Sequence, residues 1–231
     1  MPTFLSAITI SKTVLSGKFH HLIFETSEPF ASQPGQYVSI RVSEGQINNY
    51  SLSSRPNGNR FVLLVDTTPG GIGSKFFEFL KPNDPIQFLG PLGNFCLNLN
   101  DGAKNFLFLG TGSGVSPLRY MIEDALIGKN AKLSVILYFG LRHKDDIFWD
   151  DYFQELAIKY PNFSYRLSLS KPDETWHGTF GHITQHLAGD IKSANDYSAY
   201  LCGNESMIKQ ASQIMLSLGC PPERIYTEKF Y

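Results

Sequence analysis

Over the first hundred positions, apolar residues either alternate with polar ones or run in short blocks. "HHLIFET" (20–26), "GQYVSIRV" (35–42), "RFVLLVD" (60–66) and "PIQFLG" (85–90) are rich in β-branched and aromatic residues and are separated by Gly, Pro and Asn turns. Such runs predict strands, and several short ones in succession predict a small antiparallel barrel or sandwich. After "NLNDGAKN" (98–105) the rhythm changes. Apolar strands at 106–110, 133–139, 164–169, 197–202 and 224–228 alternate with helical patterns after Val115, Asp145 and Glu205 and a weaker one near Gly181. That order predicts a parallel sheet wrapped by helices. The chain therefore reads as two domains, an antiparallel β-barrel over 1–100 and an α/β parallel-sheet domain over 101–231, with no internal repeat.

Composition narrows the function classes. At 231 residues and 42% hydrophobic side chains, the chain can build two cores. A net charge of −1 with mixed signs gives no footprint for nucleic acid or an anionic membrane. No apolar run reaches spanning length, and "MPTFLSAITISKTVLSG" lacks the charged start and long apolar stretch of a signal peptide, so a cytoplasmic monomer without a membrane span is expected. Cys96, Cys202 and Cys220 are too scattered for a metal knuckle and too few for a four-thiolate cluster, so any iron–sulfur centre belongs to another protein. Among the six histidines, His182 and His186 are four apart but lack a third ligand and read as a polar helix face.

The chemistry-bearing stretch is "FLFLGTGSGVSPLRYM" (106–121), a strand, a loop of glycines and small hydroxyl residues, and a helix. Gly110, Thr111, Gly112, Ser113, Gly114 and Pro117 resemble the dinucleotide fingerprint G-x-G-x-x-G, but the third glycine is displaced to Gly114. The Gly-Lys-Ser/Thr ending of a triphosphate loop is absent. The next strand ends in Leu141, Arg142, His143 and Lys144, where the usual ribose-binding acid would sit. In the first half, "NNYSLSS" (48–54) by itself reads as an edge strand with polar residues toward water. "TPGGIGSKFFEFL" (68–80) leads through Gly70, Gly71 and Ser74 into an amphipathic helix; Ser74 can cap it, and a glycine-led helix start can also hold an anion. "GPLGNF" (90–95) reads as a tight loop leaving the barrel. "YLCGNESMI" (200–208) carries Cys202 to the carboxyl end of a strand, where Gly203 turns the chain, although a lone buried Cys is more often packing. The terminus "RIYTEKFY" (224–231) is unusually aromatic for a chain end and must pack against something.

Taken in order, Tyr-Ser, Gly-Gly-x-x-Ser, G-T-G-S-G-V-S-P, Cys-Gly and Glu-Lys-Phe-Tyr closely resemble the ferredoxin–NADP reductase family of flavoproteins, particularly compact bacterial members and the reductase modules of oxygenases. The resemblance covers almost the whole chain. It implies an N-terminal FAD-binding Greek-key barrel and a C-terminal NADP- or NAD-binding domain. It further implies that Tyr50 packs on the flavin ring, that Ser51 hydrogen-bonds near its N5, and that Gly71 to Ser74 hold the FAD pyrophosphate. Gly110 to Pro117 would take the NAD(P) pyrophosphate, Cys202 and Gly203 would border the nicotinamide, and Glu228 with Phe230 and Tyr231 would complete the flavin site, so that Ser51, Cys202 and Glu228 form the catalytic set.

The family Arg two residues before the Tyr is Asn48 here, so FAD is held more loosely or Arg55 or Arg60 reaches in. Ser170 and Lys171, with Arg142 nearby, fall where NADPH-dependent relatives bind the 2′-phosphate, whereas Trp-x-Gly at 176–178 is similar to NADH-using relatives. The implied activity is hydride transfer from NAD(P)H to bound FAD, then electron delivery to an external one-electron carrier such as ferredoxin or flavodoxin. A flavin reductase acting on free flavin and a non-catalytic electron-transfer subunit are the alternatives.

Overall fold

The computed structural model describes residues 3–127 and 133–230. Six strands form the first sheet: β1 (Leu5–Ser16), β2 (Phe19–Thr26), β3 (Tyr37–Ser43), β4 (Gln46–Ser51), β5 (Arg60–Asp66) and β6 (Pro85–Leu92). Their order is β4-β3-β6-β1-β2-β5, and every neighbouring pair is antiparallel. Just past β4, Leu52 bridges to Leu63 of β5, and Ser53 N–H donates to the Val62 carbonyl at 3.0 Å, which draws the two edge strands together into a barrel. Alternating residues point inward: Leu22 and Phe24, Val38 and Ile40, Phe61 and Leu63, Ile86 and Phe88 are all buried. Helix α1 (Ile72–Phe79) follows β5 and buries Phe77 against this core.

β1 is a strand without the expected outward signature. Its inward positions are the small or polar Ala7 and Thr9, while Leu5, Ile8 and Val14 are exposed, so hydrophobicity runs opposite to burial. The segment 90–92 also belongs to strand β6 and not to the loop expected there.

The second sheet comprises β7 (Asn105–Thr111), β8 (Ser134–Leu141), β9 (Phe163–Leu169), β10 (Thr179–Phe180), β11 (Tyr197–Gly203) and β12 (Ile225–Lys229). It is wholly parallel in the order β10-β9-β8-β7-β11-β12. Helices α2 (Val115–Ile127) and α3 (Asp150–Lys159) cover one face, and α4 (Ile183–Asp190) and α5 (Glu205–Ser217) cover the other. The two-residue period of β7 serves both faces. Phe106 and Phe108 pack with Val115, Leu118 and Phe153, whereas Leu107 and Leu109 pack with Ile183, Leu187 and Met207. α3 begins at Asp150 and not directly after Asp145, because Lys144–Asp146 is a single 3-10 turn. Strand order reverses between β7 and β11, the switch point where open α/β sheets bind ligands.

The barrel meets the sheet at that point. The rings of Phe19 and Phe148 lie 4.4 Å apart, Ser116 Oγ donates to the Ser51 carbonyl at 3.0 Å, and Tyr120 Oη donates to the Ser32 carbonyl at 2.9 Å. Lys18 pairs with Asp146 at 2.8 Å across the same boundary.

Candidate active site

A cleft of about 500 Å³ runs along β4, the start of α1 and the end of β12. Of the residues singled out for a flavin, Asn48, Tyr50, Ser51, Gly71, Ser74 and Phe230 line it. Gly70 turns the chain beside the cleft with φ of 65°, and Tyr231 lies outside the described residues. α1 starts at Ile72, earlier than the Ser74 start expected; Gly71 is its N-cap, no side chain caps it, and Ser74 is buried in the first turn. The first-turn N–H groups are thus left for another acceptor, with no acidic residue in that turn to oppose an anion.

Gly73 explains how the helix reaches this position. A Cβ there would stand 2.5 Å from both Asn48 Nδ2 and Tyr50 Oη, so only glycine lets α1 settle onto β4. The resulting cradle of backbone N–H groups, the Asn48 amide and a buried Ser74 hydroxyl fits a dinucleotide pyrophosphate. Arg55 is paired with Asp124 and Arg60 with Glu25, and neither lines the cleft, which overturns the expectation that one of them reaches in. Among the described lining residues the cation is Lys229, held 3.2 Å from Glu205.

On the wall of this cleft, Ser51 Oγ donates to Glu228 Oε2 at 3.2 Å, joining residues 177 positions apart in sequence. Ser51 is buried; Glu228 is half-buried, and burial pushes its carboxyl up to about 7, with the Ser51 hydrogen bond pulling the other way. Phe230 is pinned by its N–H to the Gly203 carbonyl at 2.8 Å and packs against the core cluster that contains Cys202.

Cys202 itself is fully buried and lines neither cleft. Burial, and secondarily Glu228, pushes its thiol well above the usual range, which favours the protonated form. Its backbone has the more visible task. The Cβ that Gly114 lacks would lie 2.4 Å from the Cys202 carbonyl oxygen, so Gly114 lets the entry to α2 pack directly on β11.

A second cleft of about 440 Å³ opens at the switch point. Thr111, Gly112, Arg142, Ser170 and Lys171 line it, as does Asn204, the N-cap of α5. Gly112 adopts φ of 55°, the left-handed turn that glycine accommodates. The glycine loop is thus divided: Thr111 and Gly112 face the second cleft, Ser113 faces the first, and Gly110, Gly114 and Pro117 lie behind as packing positions. Gly203 is also a close-approach residue, since its Cβ would meet Thr111 Oγ1 at 2.2 Å. Trp-x-Gly at 176–178 has a local reason: the Trp176 ring lies over Gly178 and its indole N–H donates to the Thr179 carbonyl at 3.0 Å.

Sequence reasoning did not single out Gln46, Asp66, Lys18, Thr184 or Gln210, and it read His182 only as part of a polar helix face; all of them line the clefts. Asp66 lines both. Its only sequence signal is its place at the end of an apolar strand before a turn. His182 is the N-cap of α4 and not a helical partner of His186, and among the described residues no metal-binding group of His, Cys, Asp or Glu forms.

Two clefts that share Asp66 on one wall, between a barrel and a switch-point sheet, give the molecule two neighbouring ligand sites where open α/β sheets bind ligands. Residues 6–96 match the oxidoreductase FAD-binding domain and residues 108–213 the oxidoreductase NAD-binding domain. The chain is 30% identical over 228 residues to the toluate 1,2-dioxygenase electron transfer component of Pseudomonas putida, covering 98% of this chain and 64% of that protein. It is 28% identical over 207 residues to the ferredoxin–NAD(P)(+) reductase component of the naphthalene 1,2-dioxygenase system of Pseudomonas putida, covering 89% and 62%. The crystal structure of a cytochrome P450 reductase from Amycolatopsis superposes with a TM-score of 0.91 at 28% identity, over 99% of this chain and 70% of that one. The chain belongs to the ferredoxin–NADP reductase family of FAD- and NAD-binding oxidoreductases. It spans about half to two thirds of the length of the curated relatives it matches. Among the described residues no helix is long and apolar enough to cross a membrane.

Proposed function

We propose that the protein takes electrons from NAD(P)H onto FAD held in the first cleft and delivers them singly to a separate carrier such as a ferredoxin or flavodoxin. When bound, the two cofactors supply the redox chemistry, hydride donation by the nicotinamide and storage of two electrons by the flavin. The chain's own residues bind, orient and manage protons. The observation that carries this reading is the Ser51–Glu228 hydrogen bond, which joins a hydroxyl from the barrel to a carboxyl from the sheet on the wall of the first cleft. With its carboxyl pushed up to about 7, Glu228 can gain or lose a proton near neutrality and pass it through Ser51.

Tyr50 and Phe230 supply aromatic faces on the first cleft, and the α1 N-terminus with Asn48 and Ser74 takes its phosphates. In the second cleft Thr111 and Gly112 form the phosphate turn, and Lys171 N–H donates to the Arg142 carbonyl at 2.8 Å, which sets two cationic residues side by side on the rim. The names of the relatives, an electron transfer component and a ferredoxin reductase component, support a protein carrier as acceptor. Purified protein reconstituted with FAD should reduce an artificial one-electron acceptor at the expense of NAD(P)H without any other subunit; a requirement for a partner chain would favour the subunit reading.

A second reading is favoured by one observation, the cation-poor pyrophosphate end around Asn48. A flavin held there without charge pairing can exchange, which suits a reductase that treats flavin as a substrate. Retention of FAD through gel filtration at micromolar protein supports the first reading, and loss of FAD with saturable turnover of added riboflavin supports the second.

A further inference from the structure

Among the described residues, Asp66, at the end of β5, is the one that lines both clefts. One of its oxygens is committed: Oδ1 accepts the Thr68 N–H at 2.8 Å and also the Thr68 hydroxyl, which fixes the turn after the strand. Its Oδ2 makes no hydrogen bond or ion pair among the described residues. Two cations on the cleft walls are engaged elsewhere, Lys18 by Asp146 at 2.8 Å and Lys229 by Glu205 at 3.2 Å. A half-buried carboxylate on the wall shared by the two clefts repels phosphate and has its best partner in hydroxyl donors.

The geometry also selects which hydroxyls. Hydride transfer requires the two reacting rings to meet where the clefts meet, so the part of the nicotinamide nucleotide at the junction is its nicotinamide riboside end. We propose that Asp66 accepts hydrogen bonds from the nicotinamide ribose hydroxyls, a contact that the barrel makes at the junction of the two clefts. This assignment rests on the proposed reading of the second cleft as the nucleotide site.

The test is calorimetric titration of the FAD-loaded protein with whichever of NAD+ or NADP+ the wild type binds more tightly. Asp66→Asn keeps an oxygen acceptor for Thr68 and should weaken binding about tenfold, as expected for loss of a hydrogen bond to a charged group. The same loss should appear with the 1,4,5,6-tetrahydro analogue, which lacks the ring charge, and with the 3-acetylpyridine analogue, which lacks the amide donor. A loss confined to the charged or the amide-bearing nucleotide overturns the ribose assignment, and so does unchanged or tighter binding. A weakening of FAD affinity with nucleotide affinity intact would place the contact on the ribityl chain and also overturns it. Thr68→Val loosens the turn without touching Oδ2 and should leave nucleotide affinity within about twofold; if it matches Asp66→Asn, the effect is loop packing. Failure of the wild type to bind either nucleotide would refute the site reading itself.

Discussion

Glu228 has a signature that separates a proton-handling carboxyl from a structural one. Its folded pKa is raised, by burial, from 4.5 to about 7, so folding favours the protonated form. The associated stability is fully present below about pH 4.5 and is lost as pH rises through about 7. Glu228→Gln does not titrate; the melting temperature of the wild type relative to this variant should therefore fall between pH 5 and pH 8, and the reduction rate of bound FAD should lose its inflection near neutrality. A parallel pair of melting curves would contradict the raised pKa. At the proposed pyrophosphate end, Asn48→Arg should tighten FAD by roughly 1.5–3 kcal/mol, because Asn48 is neutral and Arg55 and Arg60 are paired outside the cleft; fluorescence titration of the apoprotein measures it. Lys171→Ala should raise the Michaelis constant for NADPH and leave that for NADH nearly unchanged, as steady-state kinetics with each donor will show. At this scale the sequence revealed residue types more readily than their meetings. Tyr50, Ser51 and Glu228 were visible through ordered motifs, but the Ser51–Glu228 bond joins two domains, and Asp66 at a strand end looks like any turn-forming acid.

Among the elements, α1 positions the proposed phosphate end of the first cleft, and its seat depends on an absent side chain. Gly73→Ala would put a methyl 2.5 Å from Asn48 Nδ2 and Tyr50 Oη and lift the helix from β4. FAD affinity should drop by about tenfold or more, whereas Gly71→Ala, at φ of −73° with nothing within 4 Å of the new Cβ, should change it little. Equal effects in a flavin titration would show that the helix seat is not limiting. Elements were legible where hydrophobicity and burial coincide, as in β2, β5 and β7. β1 was hidden because its inward side chains are Ala7 and Thr9, and the start of α1 was misplaced because glycine caps it where serine was expected to. The 3-10 turn before α3 likewise reads as helix from its acidic residues, although Asp146 Oδ2 accepts the His143 N–H and the turn ends there.

For the molecule as a whole, the change of rhythm near residue 100 already separated an antiparallel sheet from a parallel one, since each class needs its own hydrophobic period. What the pattern did not contain was the seam between them. Phe19 against Phe148, Ser116 to the Ser51 carbonyl and Lys18 to Asp146 are contacts between distant positions, and they set the two clefts against one wall. The proposed function depends on that seam, because it requires electrons to pass from one cleft to the other. The most direct test is anaerobic stopped-flow mixing of the FAD-loaded protein with NADPH and NADH, followed by a second mix with oxidised ferredoxin or flavodoxin. The visible band of protein-bound FAD should bleach with at least one donor and return when the carrier is added, with FAD still on the protein. Bound FAD that stays oxidised while only added free flavin is reduced would contradict the account.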